Sequence, residues 1–344
     1  MILPRFDVLV PDTVERACGM LAENADKGVR ILAGGTDLLV DLRSPIFRQH
    51  VPRCDGCPSH PKGSVSSTID CSMWDSEPLM DSGGSLRDIF KAPDQSPPEF
   101  LISLHKLDGL KGIRKLDDGS LQVGALTTIT EIERSGEIRE GWTALAEGAD
   151  NLGSPLVRNR GTIGGNIVNA RPAADTAVPT IALAGKLNLQ GVSSTREIAS
   201  ESFPLGPGVT VIKPDEILTS IIYPEAPPYS GSAYYKLANR KALEISTVGV
   251  AVWLVLDKPG GIVADAIISL GAVGPTPLIA ESVKDTLIGK IPDKTTIRKT
   301  AEAVKDDARP IDDHRGSAWY RLLMVERITE RLLHIALKRA GENR

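Results

Sequence analysis

The chain has 344 residues, 41% of them hydrophobic and 24% charged, with a formal net charge of −4. That length exceeds one typical core and implies two or three domains, and the composition is that of a globular protein without the basic excess of a nucleic-acid binder. The start, "MILPRFDVLVPDTVERACG", lacks the charged and apolar regions of a secretory signal, so a cytoplasmic chain is expected. In chain order, the first forty residues read as a short strand, a helix over "TVERACGMLAENA", a strand at "GVRILAGG" and a helix opening at "TDLLVDLRS". Val14, Cys18, Leu21 and Ala22 recur at helical spacing, which buries the Cys18 thiol.

Residues 45–98 differ from their surroundings. They are dense in Pro, Ser, Gly and Asp, show no period, and are long for a loop inside a compact domain. Order resumes at "EFLISLHKL" and "LQVGALTTITEIERS", read as strand, strand and helix, and continues into a helix at "GWTALAEGADNLG". "KLNLQG" and "TREIAS" are short strands, and "KPDEILTSIIYP" reads as a helical turn into a strand. The Pro, Gly and Ser cluster at 224–232 marks a boundary. Beyond it a sheet region (233–275) holds "ISTVGVAVWLVL", too short for the roughly 20 residues of a membrane span and β-branched enough for a buried strand. Helices close the chain, notably "SAWYRLLMVERITERLLHIALKRAG".

Two stretches pair glycines. "RILAGGTDLL" (30–39) reads as a strand, Gly34-Gly35, then Thr36 and Asp37 opening a helix, and "RGTIGGN" (160–166) repeats the pattern with Thr162, Gly164 and Gly165. Amides at such a turn form an anion cradle, and the missing side chains let a phosphate reach them. One such pair alone is an ordinary turn, and neither stretch has the GxGxxG spacing. Two matched pairs, each with a neighbouring Thr, point to one ligand with two bridging phosphates: a dinucleotide cofactor.

"ILAGGTDLL", "RNRGTIGGNIVNARPAADTAVPTIALAG" and "YYKLANRKALEISTVGVAV" resemble, in order, three segments of the FAD-binding subunit of the molybdenum hydroxylases, a family that includes xanthine and carbon monoxide dehydrogenases and 4-hydroxybenzoyl-CoA reductases. The resemblance spans most of the chain outside 45–98. It implies an α+β fold: a two-part FAD-binding domain (1–44 and 99–224), then a C-terminal domain (225–344) of small antiparallel sheet plus helices. It further implies that Gly34, Gly35 and Thr36, within Arg30 to Asp37, wrap the FAD pyrophosphate while Ile31, Leu32 and Ala33 pass close to the flavin or its linker. Thr162, Ile163, Gly164, Gly165 and Asn166 match the family's other pyrophosphate contact, with Ile163 near the ring. Asp175 falls on the ribose side, and Lys236 lies near the flavin. Each has a plainer reading: Asp175 as a helix cap, Lys236 as a solvated charge, Asn166 as a turn residue, Arg158 and Arg160 as surface charge.

The function so implied is electron transfer within a heterotrimer. A large subunit carries the molybdenum cofactor, a small one carries [2Fe-2S] clusters, and FAD on this chain exchanges electrons with an external acceptor. The alternatives are a stand-alone FAD-dependent oxidoreductase and a cofactor-free scaffold subunit. The departure from the family pattern is the 45–98 insertion, which holds Cys54, Cys57 and Cys71. Closely spaced thiolates suit an iron–sulfur cluster or zinc, with a fourth ligand from His60, Asp55, Asp70, Cys18 or a partner chain. The other reading is a cysteine-bearing interaction loop.

Overall fold

The computed structural model describes residues 3–43, 97–240 and 242–343. The insertion's Cys54, Cys57 and Cys71 lie outside the described residues. Strand β1 (Asp7–Leu9) leads to helix α1 (Val14–Glu23), whose first turn is capped by the Thr13 hydroxyl. β2 (Arg30–Leu32), α2 (Leu38–Asp41) and β3 (Phe100–Ser103) follow. The strands form a parallel sheet with β3 in the middle, Leu101 opposite both Val8 and Arg30. Parallel strands need a crossover, and α1 supplies the one from β1 to β2. Its Ala17, Cys18 and Leu21 pack on Ile102, Leu104 and Leu107. Ala22, expected on this stripe, is exposed, because it sits one residue round from Leu21 and off the face that Ala17 occupies.

The second unit opens with β4 (Ile113–Lys115) and β5 (Leu121–Gly124), then six short helices: α3 (Ile129–Arg134), α4 (Gly136–Gly141), α5 (Thr143–Asp150), α6 (Pro155–Arg158), α7 (Ile163–Val168) and α8 (Ala177–Ala182). Ser135 ends α3 and caps α4 through the Ile138 N–H, so the stretch after "ITEIER" is a separate helix. β6 (Lys186–Gln190), β7 (Thr195–Ala199), a small hairpin of β8 (Pro204–Gly206) and β9 (Val209–Thr210), and β10 (Ile217–Tyr223) complete it. The five-stranded sheet runs β4-β5-β10-β6-β7, its last-made strand in the centre. Lys213 to Glu216 makes a plain turn before β10 rather than a turn of helix.

The third unit is an antiparallel sheet of β11 (Ser230–Leu237), β12 (Val248–Leu256), β13 (Val263–Gly271) and β14 (Leu278–Ile279), in chain order. Helices α9 (Val283–Thr286), α10 (Lys294–Asp307) and α11 (Ala318–Glu342) cover it. β12 is apolar throughout because it serves two cores. Val248, Val250, Val252 and Leu254 join Val325, Leu332, Leu333 and Ala336 of α11, while Ala251 joins the core of the second unit. Alternation along a strand divides the residues in this way. Among the described residues no helix is long and apolar enough to cross a membrane.

Candidate functional site

The first glycine turn runs from the end of β2 to the start of α2. Gly35 takes a left-handed φ of 75°, which an L side chain resists. Gly34 is small for another reason: a Cβ there would stand 2.0 Å from the Arg160 carbonyl oxygen and 2.9 Å from Gly161 Cα. The two glycine stretches therefore touch, backbone on backbone. The amides of Gly34, Gly35, Thr36 and Asp37 donate to no other described residue. Arg30 to Thr36 are partly exposed and Asp37 is exposed.

The second stretch does not match the expected loop of open amides. Thr162 is the N-cap of α7, and its hydroxyl accepts the Gly165 N–H at 3.1 Å. The Ile163, Gly164 and Asn166 amides donate to the carbonyls of Thr127, Ala125 and Thr162. Ile163 is fully buried in the core of the second unit, so it offers no surface beside a ring, contrary to expectation. Thr162 and Gly164 are buried as well, and Gly164 is packed on Ala125. Gly165 and Asn166 reach the surface. The Asn166 side-chain oxygen accepts both the N–H and the hydroxyl of Thr176, next to Asp175, which gives it more than a turn role.

Asp175 is buried and does not cap α8. One carboxylate oxygen accepts from the Tyr234 hydroxyl at 3.0 Å and the Ser246 hydroxyl at 3.1 Å, and the other from Lys236 Nζ at 2.7 Å. Lys236 is no solvated charge: its side chain is 6% exposed, and Nζ also donates to the Asn151 carbonyl at the end of α5. Burial pushes the Asp175 carboxyl up, opposed by the Lys236 ammonium and the two hydroxyls. Burial and the neighbouring carboxylate push the Tyr234 phenol well up, which keeps it a neutral donor. A cavity of about 260 Å³ lies alongside, lined by Asn151, Tyr235, Lys236, Asn239, Arg240 and Glu244.

Tyr234 and Ser246 are site residues that the motifs alone did not single out. The signal was present for Tyr234: two residues before Lys236 on one strand, it shares the same face. Arg158 is likewise no surface charge, since it pairs with Glu133 at 2.7 Å and reaches the Leu152 carbonyl, whereas Arg160 is exposed. Among the described residues no group of three or more His, Cys, Asp or Glu side chains is placed to hold a metal.

Residues 76–226 match the model of the FAD binding domain in molybdopterin dehydrogenase, and residues 233–336 match that of the CO dehydrogenase flavoprotein C-terminal domain. The carbon monoxide dehydrogenase medium chain of Hydrogenophaga pseudoflava is 31% identical over 86% of this chain and 99% of its own. The nicotinate dehydrogenase FAD-subunit of Eubacterium barkeri is 28% identical over 95% and 94%. Among solved structures, the H. pseudoflava carbon monoxide dehydrogenase lacking the Mo-pyranopterin moiety superposes with a TM-score of 0.79 at 28% identity, over 98% of this chain and 99% of that one. Asp175 and Lys236 fall inside the two matched regions, and the first glycine turn, which precedes both, packs on Arg160 and Gly161 of the first; with the 31% identity over most of its length, the chain belongs to the FAD-binding subunits of the molybdenum hydroxylase family.

Proposed function

We propose that this chain holds one FAD between the first glycine turn and the Asp175–Lys236 node. It serves as the electron-transfer subunit of a complex with a large molybdenum-cofactor subunit and a small [2Fe-2S] subunit, exchanging electrons with an external acceptor or donor. In this reading 1–44 with 99–224 forms the FAD-binding part, 225–344 the C-terminal part, and 45–98 an insertion. The observation that carries it is the run of amides at Gly34, Gly35, Thr36 and Asp37 with no acceptor among the described residues. Consecutive N–H groups around a left-handed glycine form a concave anion nest, which fits a pyrophosphate.

Bound FAD supplies the one- and two-electron redox chemistry, and the protein supplies placement and charge. Thr36 adds a hydroxyl donor beside the open amides. Gly165 and Asn166 form the accessible rim of the second stretch, carried on the buried Thr162, Ile163 and Gly164. At the other end Lys236 presents a cation whose position is fixed by Asp175 and the Asn151 carbonyl. Paired with Asp175, the ammonium is close to neutral overall, so what it offers the ring is a fixed N–H donor rather than a net positive charge. The medium-chain relative supports the assembly.

The test is rebinding of FAD to the stripped full-length chain, followed by quenching of FAD fluorescence. Thr36→Val removes one hydroxyl donor to a charged group and is expected to weaken binding about tenfold. ADP is expected to compete. Failure of the stripped chain to rebind FAD would overturn the proposal.

A further inference from the structure

β11 pairs with β12 along one edge, and side chains close the other. Tyr234 donates its N–H to Glu147 Oε2 at 2.6 Å, and Glu147 Oε1 accepts from Arg339 Nη2 at 2.6 Å. Arg339 Nη1 donates to the Ser232 carbonyl at 2.6 Å, and the Ala144 N–H donates to the Ser232 hydroxyl at 3.1 Å. The ion pair therefore lies along residues 232–234 where a neighbouring strand would lie.

Four residues on from Glu147, the Asn151 carbonyl accepts from Lys236, two residues on from Tyr234. Four residues advance a helix by about 6 Å and two advance a strand by nearly 7 Å, so the two grips keep step. Helix α5 thus holds β11 at two points, the backbone at Tyr234 and the ammonium at Lys236. Both of those side chains end on Asp175.

We propose that Glu147, held by Arg339 of α11, is a positioning residue for the flavin: it fixes β11 so that Lys236 stands at one defined place against the cofactor. The inference rests on the reading that Lys236 faces the ring. Its test uses the stripped full-length chain and measures FAD affinity, the visible band of the bound flavin and thermal midpoint for Glu147→Ala, Glu147→Gln, Lys236→Met and the double variant Glu147→Ala with Lys236→Met. Lys236→Met and Glu147→Ala are each expected to weaken FAD about tenfold and shift the flavin band, with the double variant no weaker than the worse single, since the two act through one contact. Glu147→Gln keeps an acceptor for the Tyr234 N–H and is expected to lose less than about threefold.

Additive losses, or a Glu147→Ala variant with parental affinity and flavin band beside a weakened Lys236→Met, would overturn the role of Glu147 alone. Parental binding by Lys236→Met would overturn the placing of Lys236 at the ring, and this inference with it. Should Glu147→Ala not fold, Arg339→Gln takes its place in the same cycle, and additive losses with Lys236→Met again overturn the proposal.

Discussion

A methyl group on Gly34 would meet the Arg160 carbonyl oxygen at 2.0 Å, backbone against backbone, with nothing able to rotate away. Gly34→Ala is therefore expected to cost about 1–3 kcal/mol of stability, read as a lowered urea midpoint without FAD. Gly165 is a milder case: it is exposed in the first turn of α7, and a Cβ there would stand 3.1 Å from the Thr162 hydroxyl, a side chain that has to give only a few tenths of an ångström. There Gly165→Ala is expected to stay within about 0.5 kcal/mol of the parent, so any loss of FAD affinity reports on the ligand. The paired glycines were legible in the sequence as special positions, but these causes were not. The Gly34 contact joins segments more than a hundred residues apart, and periodicity carries no information about such a meeting.

Glu216 gives a pH dependence at the same scale. It accepts from Arg196 Nε and Nη2, both at 2.7 Å, and from the Lys213 N–H at 2.8 Å. The Arg196 hydrogen bond leads in holding its carboxyl below the usual range. A depressed folded-state pKa contributes stability above the unfolded value and loses it as pH falls through the folded one. Glu216→Gln should thus lower stability by about 2 kcal/mol at neutral pH, the gap closing below about pH 4. Thermal midpoints of both proteins from pH 7 to pH 3 check this, and a gap independent of pH would contradict it.

Among the elements, the long antiparallel strands were legible because β-branched runs leave little choice, and α11 because its apolar stripe persists for many turns. The separate helix α4, the three-residue β4 and the β8–β9 hairpin were not, since each is too short to show a period. Packing between elements was hidden for a different reason. Gly231 of β11 admits α11 so closely that a Cβ would stand 2.1 Å from the Ala336 carbonyl. Arg321 of α11 is buried, donating to the Thr247 and Ala272 carbonyls and pairing with Asp313. Breaking such a pair leaves polar groups stranded, so Arg321→Met is expected to cost about 3–5 kcal/mol, measurable by denaturant unfolding.

For the whole molecule, the three cores are bound by contacts that cross between them. The Cys18 thiol, raised to about 11 chiefly by burial, donates to the Gln190 carbonyl of β6, and α5 and α11 meet on β11. FAD held between the first turn and the third sheet would join the same set. At a hundredfold excess over its dissociation constant it should add about 2.7 kcal/mol, and stripping it should lower the thermal midpoint accordingly. The architecture was legible in the order of three motifs, while the Asp175 node was half legible: its acid and lysine stood out, but the Tyr234 and Ser246 hydroxyls that complete it did not.

The closed edge of β11 has a bearing on how this chain survives before assembly. An open strand edge is a template on which another chain can add, and a subunit awaiting partners is exposed to that hazard. Here the Glu147–Arg339 pair and Asn343, which donates to the Ser230 carbonyl, occupy the β11 edge of the third sheet, while on the other side β14 pairs with β13 at Ser269 and Leu270. The β11 edge of this sheet thus offers no free ladder for strand addition, and weakening that side-chain seal should show itself as aggregation during expression before any change in electron transfer.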